Sequence, residues 1–179
     1  MSRTPEAWRV RRATSADGPA IIDVAAAGWR DTYAGLLRPD TIETFIERAY
    51  APDRIEARIA NDQFYVAERA GRGIVAAFAD AVEHDDRLEL AAIYALPEHR
   101  GRGAGTALLE VLIGLFADRP ISADVLIGNR KGETFYERRG FVPRERLDAT
   151  LFGEPVVERR WWRGVRGVRG VRGVRGASA

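Results

Sequence analysis

The sequence predicts an α/β domain in which helices flank a mixed, mainly antiparallel central sheet. Three strand-like segments follow one another between residues 63 and 96 with short connections, which is typical of an antiparallel meander. A glycine-rich loop at residues 100–105 then leads into a strongly apolar helical pattern, followed by a further strand, a helix and a last strand. Strands that alternate with helices after an antiparallel start indicate a mixed α/β sheet.

The composition fits one globular domain. A chain of 179 residues with 46% hydrophobic content has the ~100–200 residues of a typical domain. The absence of cysteine excludes disulfides, zinc-thiolate sites and cysteine nucleophiles. The first residues lack the apolar core of a signal peptide, and no apolar run reaches the ~18 residues of a membrane-spanning helix. We therefore expect a soluble cytoplasmic protein with no membrane partner.

Basic residues are concentrated at the C-terminus. Residues 163–179 repeat a Gly-Val-Arg unit and contain five of the 28 basic residues and no acidic one, so residues 1–162 carry 23 basic and 26 acidic groups. The repeat has neither helical nor strand periodicity, and we expect this basic tail to be disordered. A basic tail can attract nucleic acid. The slightly acidic domain and the lack of interleaved aromatic residues in the tail favour no specific nucleic-acid partner.

The first part of the domain is predicted to contain one strand and two helical regions. The segment around Val10 has the pattern of a short strand, and Ser15 is the predicted N-cap of the first helix, with Asp17 in its first turn. A second helical region is predicted over residues 41–60, broken near Pro52. The apolar residues of the first helix recur at helical spacing: Ile21, Ala25, Gly28 and Trp29.

The second part alternates between strands and helices. Leu108 and Leu112 lie on one apolar face, which predicts a helix that packs on the sheet. Asn129 is the predicted cap of a helix that continues through Arg139, with Gly140 at its C-terminal end. The predicted strands are residues 63–70, 73–82, 87–96, 121–128 and 154–162.

The glycine-rich loop has the features of an anion site. A loop that ends a strand and opens a helix presents free backbone N–H groups at the positive end of the helix dipole. The Walker pattern fails because Gly105 is followed by Thr106 with no lysine, and the dinucleotide pattern fails because it needs a glycine at Thr106. The pattern that matches is Q/R-x-x-G-x-G/A, with Arg100, Gly103 and Gly105 at its fixed positions.

Three segments resemble the GNAT superfamily of N-acetyltransferases. They are GWRDTYAGLL at residues 28–37, LELAAIYALPEHRGRGAGTALL at 88–109 and NRKGETFYERRGF at 129–141. The resemblance covers residues 10–162 and implies a GNAT domain at 1–162 that uses acetyl-CoA as co-substrate, without a metal, and forms a homodimer. It implies these cofactor-binding residues: Ile93, Tyr94, Ala95, Arg100, Gly101, Arg102, Gly103, Ala104, Gly105, Thr106, Asn129 and Tyr136.

Acetyl transfer to an amine needs a group that accepts the ammonium proton and a group that protonates the leaving thiolate. The resemblance implies that Tyr136 is the acid; the alternative is a tyrosine that only packs on the cofactor. Glu89 is the best candidate for the base, directly or through a water, and the alternative is an ordinary surface carboxylate. Period-two alternation places Glu89 on one face with Ala91 and Ile93.

The acceptor amine is less well defined by the sequence. His84 is interpreted as a solvated loop residue, and two histidines as distant as His84 and His99 make no metal site. No dense acidic cluster indicates a polyamine, so the acceptor is predicted only as an amine of a small molecule or peptide. The alternative function is a non-catalytic acyl-CoA-binding or sensing domain. The residues predicted to line the acceptor pocket are Trp29, Tyr33, Leu36 and Leu37.

Overall fold

A computed structural model describes residues 8–71 and 73–164 of the chain. The helices are α1 (Gly18–Tyr33), α2 (Pro39–Ala49), α3 (Pro52–Asn61), α4 (Ala104–Leu115) and α5 (Arg130–Glu137). The strands are β1 (Trp8–Arg12), β2 (Gln63–Arg69), β3 (Ile74–Glu83), β4 (Leu88–Ala95), β5 (Ile121–Leu126), β6 (Val142–Leu151) and β7 (Glu154–Arg163). Short 3₁₀ turns cover Ser15–Asp17 and Pro97–His99.

The described strands form one seven-stranded sheet in the order β1-β2-β3-β4-β5-β7-β6. Neighbouring strands are antiparallel except for β4 and β5, which run parallel because the chain crosses between them through α4. The predicted mixed, mainly antiparallel sheet flanked by helices is confirmed.

Each face of the sheet has its own apolar core. On one face, α1, α2 and α3 cover Phe64 and Phe78, which are fully buried and stack with ring centroids 5.4 Å apart. On the other face, α4 packs through Leu108 and Leu112, both fully buried. Burial of each such side chain stabilises the fold by about 1.5–3 kcal/mol. The predicted packing of α4 on the sheet is therefore confirmed. The sheet separates the apolar core under α1, α2 and α3 from the apolar core under α4.

The start of the first helical region differs from the prediction. Thr14, and not Ser15, is the N-cap, and it forms a capping box with Asp17. The Asp17 carboxylate accepts from Thr14 N at 2.8 Å and binds the Arg11 guanidinium through two contacts of 2.7 Å. These contacts lower the pKa of Asp17 to about 2, mainly through the hydrogen bonds from Arg11. Asp17 therefore ties β1 to the start of α1.

Strand β6 was missed in the sequence. Its residues include Pro143 and four charged side chains, and it is the exposed edge strand of the sheet, so it lacks the apolar alternation of a half-buried strand. It joins β7 through a two-residue turn, Phe152-Gly153, in which both residues have positive φ, 46° and 82°. That is the geometry of a tight hairpin turn. Helix α5 also ends at Glu137, two residues earlier than predicted.

The end of the described chain bears on the predicted tail. Strand β7 continues through Arg163, the first residue of the predicted tail, and Arg163 pairs there with Ile121 of β5. Residues 165–179 of that tail lie outside the described residues. In the described part of the chain, none of the helices is both long and apolar enough to span a membrane.

Candidate active site

The two parallel strands open a cleft in the sheet. Strands β4 and β5 pair only at Leu88 with Ile121 and at Glu89 with Ser122, and beyond that point they separate. The resulting cleft has a volume of about 910 Å³ and is lined by residues 90–95 of β4, by the glycine-rich loop, and by parts of α4, β5 and α5. Backbone groups of β4 that a neighbouring strand would satisfy therefore face the cleft.

The glycine-rich loop forms one end of this cleft. Gly101 and Gly103 have φ angles of 70° and 96°, in the left-handed region that glycine adopts without strain. Gly103 is the N-cap of α4, and the first intrahelical bond at this end runs from Ala107 N to Gly103 O. The N–H groups at the start of α4 have no intrahelical acceptor, so the loop presents them at the positive helix end. Trp8 Nε1 donates to Arg102 O at 2.8 Å, which holds the loop against β1.

Gly105 has a different role from the other two glycines. Its backbone is helical, and a β-carbon there would lie 3.1 Å from Phe135 Cε2. A β-carbon would therefore press on the Phe135 ring of α5, which would have to shift by a few tenths of an ångström. Gly105 allows the close approach that brings the loop next to α5.

Basic side chains dominate the wall of the cleft. Arg139 stacks over the Phe135 ring at 3.8 Å and donates to Phe135 O and to Thr106 Oγ1. Burial, and then the neighbouring Arg138, lower the pKa of Arg139, so an anion would be a favourable partner there. Asp124 is the one acidic residue among the cleft-lining residues that the structure describes. The basic lining residues are Arg100, Arg130, Lys131, Arg138 and Arg139.

Asp31 of α1 connects two of these cations. Its Oδ2 accepts from Lys131 Nζ at 2.7 Å and from Arg100 Nη1. Lys131 belongs to α5 and Arg100 to the loop, so one carboxylate joins α1 to both sides of the cleft. The cations on either side lower the pKa of Asp31, the hydrogen bond from Lys131 being the largest cause.

Tyr136 lies in the cleft wall with its ring buried between aromatic neighbours. The side chain packs edge-on against Phe135 and Phe141, with centroids 5.2 and 5.1 Å away, and is 7% exposed. Burial raises the pKa of Tyr136, so the phenol keeps its proton at neutral pH. Burial makes this phenol a weaker acid than an exposed tyrosine, and its position in the cleft lining is what makes it a candidate proton donor.

Asn129 both caps a helix and lines the cleft. Its Oδ1 accepts from Gly132 N at 3.0 Å, as the sequence predicts for the N-cap of α5. A β-carbon at Gly132 would lie 2.7 Å from Asn129 Nδ2, so the glycine leaves room for this capping side chain. Of the predicted cofactor residues, the cleft lining includes all but Arg102, whose carbonyl holds Trp8.

The prediction that Glu89 shares a face of β4 with Ala91 and Ile93 is wrong. A bulge in the β3–β4 pairing places Val82, Asp80 and Phe78 opposite Glu89, Ala92 and Tyr94, so Ala91 is skipped. Glu89 therefore shares a face with Ala92 and Tyr94, not with Ala91 and Ile93. Uninterrupted period-two counting fails at a bulge.

Glu89 lies at the point where β4 and β5 begin to separate, next to the cleft lining rather than within it. Its Oε2 accepts from Arg87 Nη2 at 3.0 Å, and His84 Nε2 lies 3.0 Å from the same oxygen. The turn residue His84 thus contacts the candidate base and is not a freely solvated side chain.

The predicted acceptor residues lie behind the cleft, on the face covered by α1. Trp29 is 6% exposed and stacks on Phe45 with centroids 3.8 Å apart, as a core residue does. The Tyr33 and Tyr94 hydroxyl groups are 3.1 Å apart, so Tyr33 reaches the cleft through Tyr94. Leu37 is buried and Leu36 is 38% exposed. Their role in acceptor binding stays a prediction.

Two carboxylates near Glu89 were missed in the sequence. The pairing of β5 with β7 places Asp124 opposite Arg160 and Leu126 opposite Glu158, on the face that also carries Glu89. Asp124 binds Arg160 through two contacts of 2.7 Å. Burial raises the pKa of Glu158, with smaller contributions from Asp124 and Glu89. No local pattern reveals this set, because its members come from three strands.

The family model for the acetyltransferase (GNAT) family matches residues 29–141, more than half of the chain. The chain belongs to the GNAT family and is an N-acetyltransferase. It is 24% identical over 160 residues to a spermidine N(1)-acetyltransferase of Thermoplasma acidophilum, with 85% of this chain and 96% of the relative covered. It is 26% identical over 148 residues to a probable N-acetyltransferase of Mycobacterium tuberculosis, with 76% and 81% covered.

Solved structures agree with this membership at the level of the fold. The PaiA N-acetyltransferase from Thermoplasma acidophilum, in complex with coenzyme A, superposes with a TM-score of 0.73 at 22% identity, covering 86% of this chain and 98% of that one. A GCN5-related N-acetyltransferase from Rhodopseudomonas palustris gives a TM-score of 0.75 at 20% identity, covering 92% and 98%. The GNAT fold predicted from the sequence motifs is confirmed.

Proposed function

We propose that this N-acetyltransferase transfers an acetyl group from acetyl-CoA to a primary amine of a small molecule or peptide, by direct attack within a ternary complex. The observation that carries the proposal is the cleft itself: it runs from an anion site at the start of α4 to the separation of β4 and β5, beside Tyr136. One cleft can therefore hold a phosphorylated carrier and expose its acyl end to the opposite face of the sheet.

The chain's own residues fit a diphosphate carrier. The N–H groups at the start of α4 suit the diphosphate, and the five basic lining residues complement its further charge. The backbone of Ile93 and Ala95, on the side of β4 without a strand partner, supplies hydrogen-bonding groups for an amide-containing arm. Acetyl-CoA supplies an activated acyl thioester.

Two groups serve the proton transfers in this proposal. Tyr136 protonates the departing thiolate, because its buried phenol is neutral and borders the cleft. Glu89 accepts the proton of the attacking ammonium through a water, because it lies beside the cleft and not in its lining. Direct transfer of the proton to Glu89 requires the acceptor amine to reach the point at which β4 and β5 separate.

The acceptor is proposed to be a cationic amine. The face that α1 covers carries Glu89, Asp124 and Glu158 near the separation of the strands, with Arg160 paired to Asp124. Arg87 is paired with Glu89 in the same way, so the three carboxylates exceed the two paired arginines by one negative charge, and this excess attracts an ammonium group. A spermidine acetyltransferase among the relatives supports amines of this class as the first compounds to test.

An acceptor screen tests the proposal. Purified protein with acetyl-CoA is offered spermidine, a short diamine, single amino acids and peptides with free N-termini, and the release of CoA thiol is followed. We expect release above the background hydrolysis rate with at least one cationic amine. If acetyl-CoA raises the melting temperature but no amine is acetylated, the protein acts as an acyl-CoA sensor and the proposal is wrong.

A further inference from the structure

The five basic residues that line the cleft differ in how far their charges are already neutralised. Arg100 and Lys131 share one carboxylate of α1. Arg130 and Arg138 are exposed, so water screens their charges. Arg139 is half-buried, and in the described part of the chain none of the carboxylates forms an ion pair with it. Of the five, Arg139 therefore has the strongest need for an anionic partner.

The guanidinium of Arg139 is held in one orientation. Its Cζ lies 3.8 Å from the centroid of the Phe135 ring, Nη1 donates to Phe135 O at 2.7 Å, and Nη2 donates to Thr106 Oγ1. A guanidinium has five N–H groups, and these two bonds use two of them. The Nε atom is buried and has no hydrogen-bond partner among the described residues. The side chain is thus fixed in the cleft wall but keeps donors for a ligand.

The contact with Thr106 brings Arg139 to the anion site. Thr106 is the third residue of α4, which begins at Ala104 after the cap Gly103. The N–H groups of this first turn have no intrahelical acceptor, and the helix end carries only about half an elementary positive charge. Both phosphate groups of a diphosphate are ionised at neutral pH, so the helix end alone leaves most of their charge unmatched. Arg139 adds a full positive charge at the same turn.

We propose that Arg139 binds the diphosphate of the acyl carrier and makes the protein selective for carriers that contain this group. The inference rests on the proposed use of acetyl-CoA as acyl donor. A guanidinium and a phosphate form paired, charge-assisted hydrogen bonds. The two charged neighbours of Arg139, Arg138 and Glu110, are exposed and act on it in opposite directions, so neither replaces the phosphate.

Direct binding measurements test the inference without an acceptor amine. Calorimetric titration gives the Kd of CoA and of dephospho-CoA, which keeps the diphosphate but lacks the 3′-phosphate, for the parent and for Arg139→Gln. We expect the variant to bind both compounds roughly 10- to 100-fold more weakly, the size of a lost hydrogen-bonded contact to a charged group. Parent-like affinity for both compounds would overturn the proposal. A loss confined to CoA would also overturn it, because Arg139 would then bind the 3′-phosphate.

Arg54→Gln is the matched control, since it changes the net charge by the same amount. Arg54 is an exposed residue of α3, which packs on the opposite face of the sheet. The Kd values of this variant should equal those of the parent. Equal losses of affinity in Arg54→Gln and Arg139→Gln would mean a general charge effect and would contradict a specific contact.

Arg139→Lys keeps the inference testable if Arg139→Gln does not fold. Arg139 also donates to Phe135 O, so circular dichroism and Tm without ligand are measured for each variant. Lysine keeps the positive charge but lacks the planar, two-pronged geometry of the guanidinium. We expect Arg139→Lys to bind CoA and dephospho-CoA roughly 3- to 10-fold more weakly than the parent. A folded Arg139→Lys protein with the parent's affinity for both compounds would refute the guanidinium contact.

The parent's own behaviour separates this inference from the proposed function. If the parent binds neither CoA nor dephospho-CoA, the proposed carrier is wrong and the inference falls with it. If the parent binds both and Arg139→Gln binds them equally well, the inference alone fails. If binding depends on Arg139 but no amine is acetylated in the acceptor screen, the inference stands and the proposed acetyl transfer is wrong.

Discussion

Replacing Gly103 by alanine tests whether the conformation of the loop, and not only its small size, creates the anion site. Gly103 has a φ of 96° and caps α4. A β-carbon there would lie 3.8 Å from the Trp8 ring, an ordinary contact, so the alanine meets no steric clash in the protein. The cost is therefore the left-handed backbone, about 1–2 kcal/mol for a residue with a β-carbon.

This cost predicts two measurable effects of Gly103→Ala. For a chain of this size, 1 kcal/mol corresponds to roughly 2–4 °C in Tm, so the Tm without ligand should fall by roughly 2–8 °C. Relief of the strain rotates the backbone that carries the first N–H groups of α4. Coenzyme A at about 100 times its Kd stabilises the parent by about 2.7 kcal/mol, or roughly 5–10 °C, and most of this shift should be lost.

Thermal denaturation with and without coenzyme A, followed by circular dichroism, measures both effects. Gly114→Ala is the control, because Gly114 lies in the same helix with open space around its β-carbon and no positive φ. It should raise the Tm slightly, as alanine favours a helix by up to about 1 kcal/mol over glycine, and keep the full ligand shift. A folded Gly103→Ala protein with the parent's ligand shift would refute the assignment of the anion site to this loop.

Three further predictions follow from the site, the tail and the N-terminal cap. Tyr136→Phe should keep the coenzyme A shift in Tm but lower kcat by roughly 10²- to 10⁴-fold; a parent-like kcat would show that solvent protonates the thiolate. Deletion of residues 165–179 should leave Tm and transfer rate unchanged, since the Gly-Val-Arg repeat offers no core-forming face; a large loss of either would contradict this. Asp17→Asn should lower the free energy of unfolding by about 2 kcal/mol at neutral pH, because the pKa of Asp17 is lowered from 3.8 to about 2 in the folded protein. This difference is present above pH 3.8 and is lost as the pH falls to about 2. Chemical denaturation at several pH values measures it, and a difference that stays constant with pH would contradict the prediction.

The sequence predicted the elements whose patterns are local. The apolar face of α4, the glycine-rich loop and the meander of β2 to β4 each depend on neighbouring residues, and all three appear in the structure. Strand β6 was missed because an edge strand with charged residues on both faces has no apolar period. The position of the cap differed by one residue because both Thr14 and Ser15 are good caps, and only the hydrogen bonds to Asp17 distinguish them.

The parts of the candidate site that lie in contiguous sequence motifs could be predicted, and the parts that are assembled from several strands could not. The loop and Tyr136 belong to contiguous segments, so their joint presence in one cleft could be expected from the resemblance alone. Glu158 and Asp124 join Glu89 only through the register of β7 on β5 and of β5 on β4, which no local pattern records. His84 was interpreted as a solvated residue because a turn histidine usually is, whereas in the structure its Nε2 lies 3.0 Å from Glu89 Oε2.

The short parallel pairing of β4 with β5 is what connects the two sides of the enzyme. A sheet normally separates its faces completely, since its backbone groups are paired between strands. Here the two strands pair at two positions and then separate, so the α4 face with its cations meets the α1 face with its carboxylates through one opening. The proposed anionic carrier and the proposed cationic acceptor can therefore approach from opposite sides without competing for one surface. Tyr136 and Glu89 lie on different faces at this opening, which keeps the proposed acid and the proposed base apart.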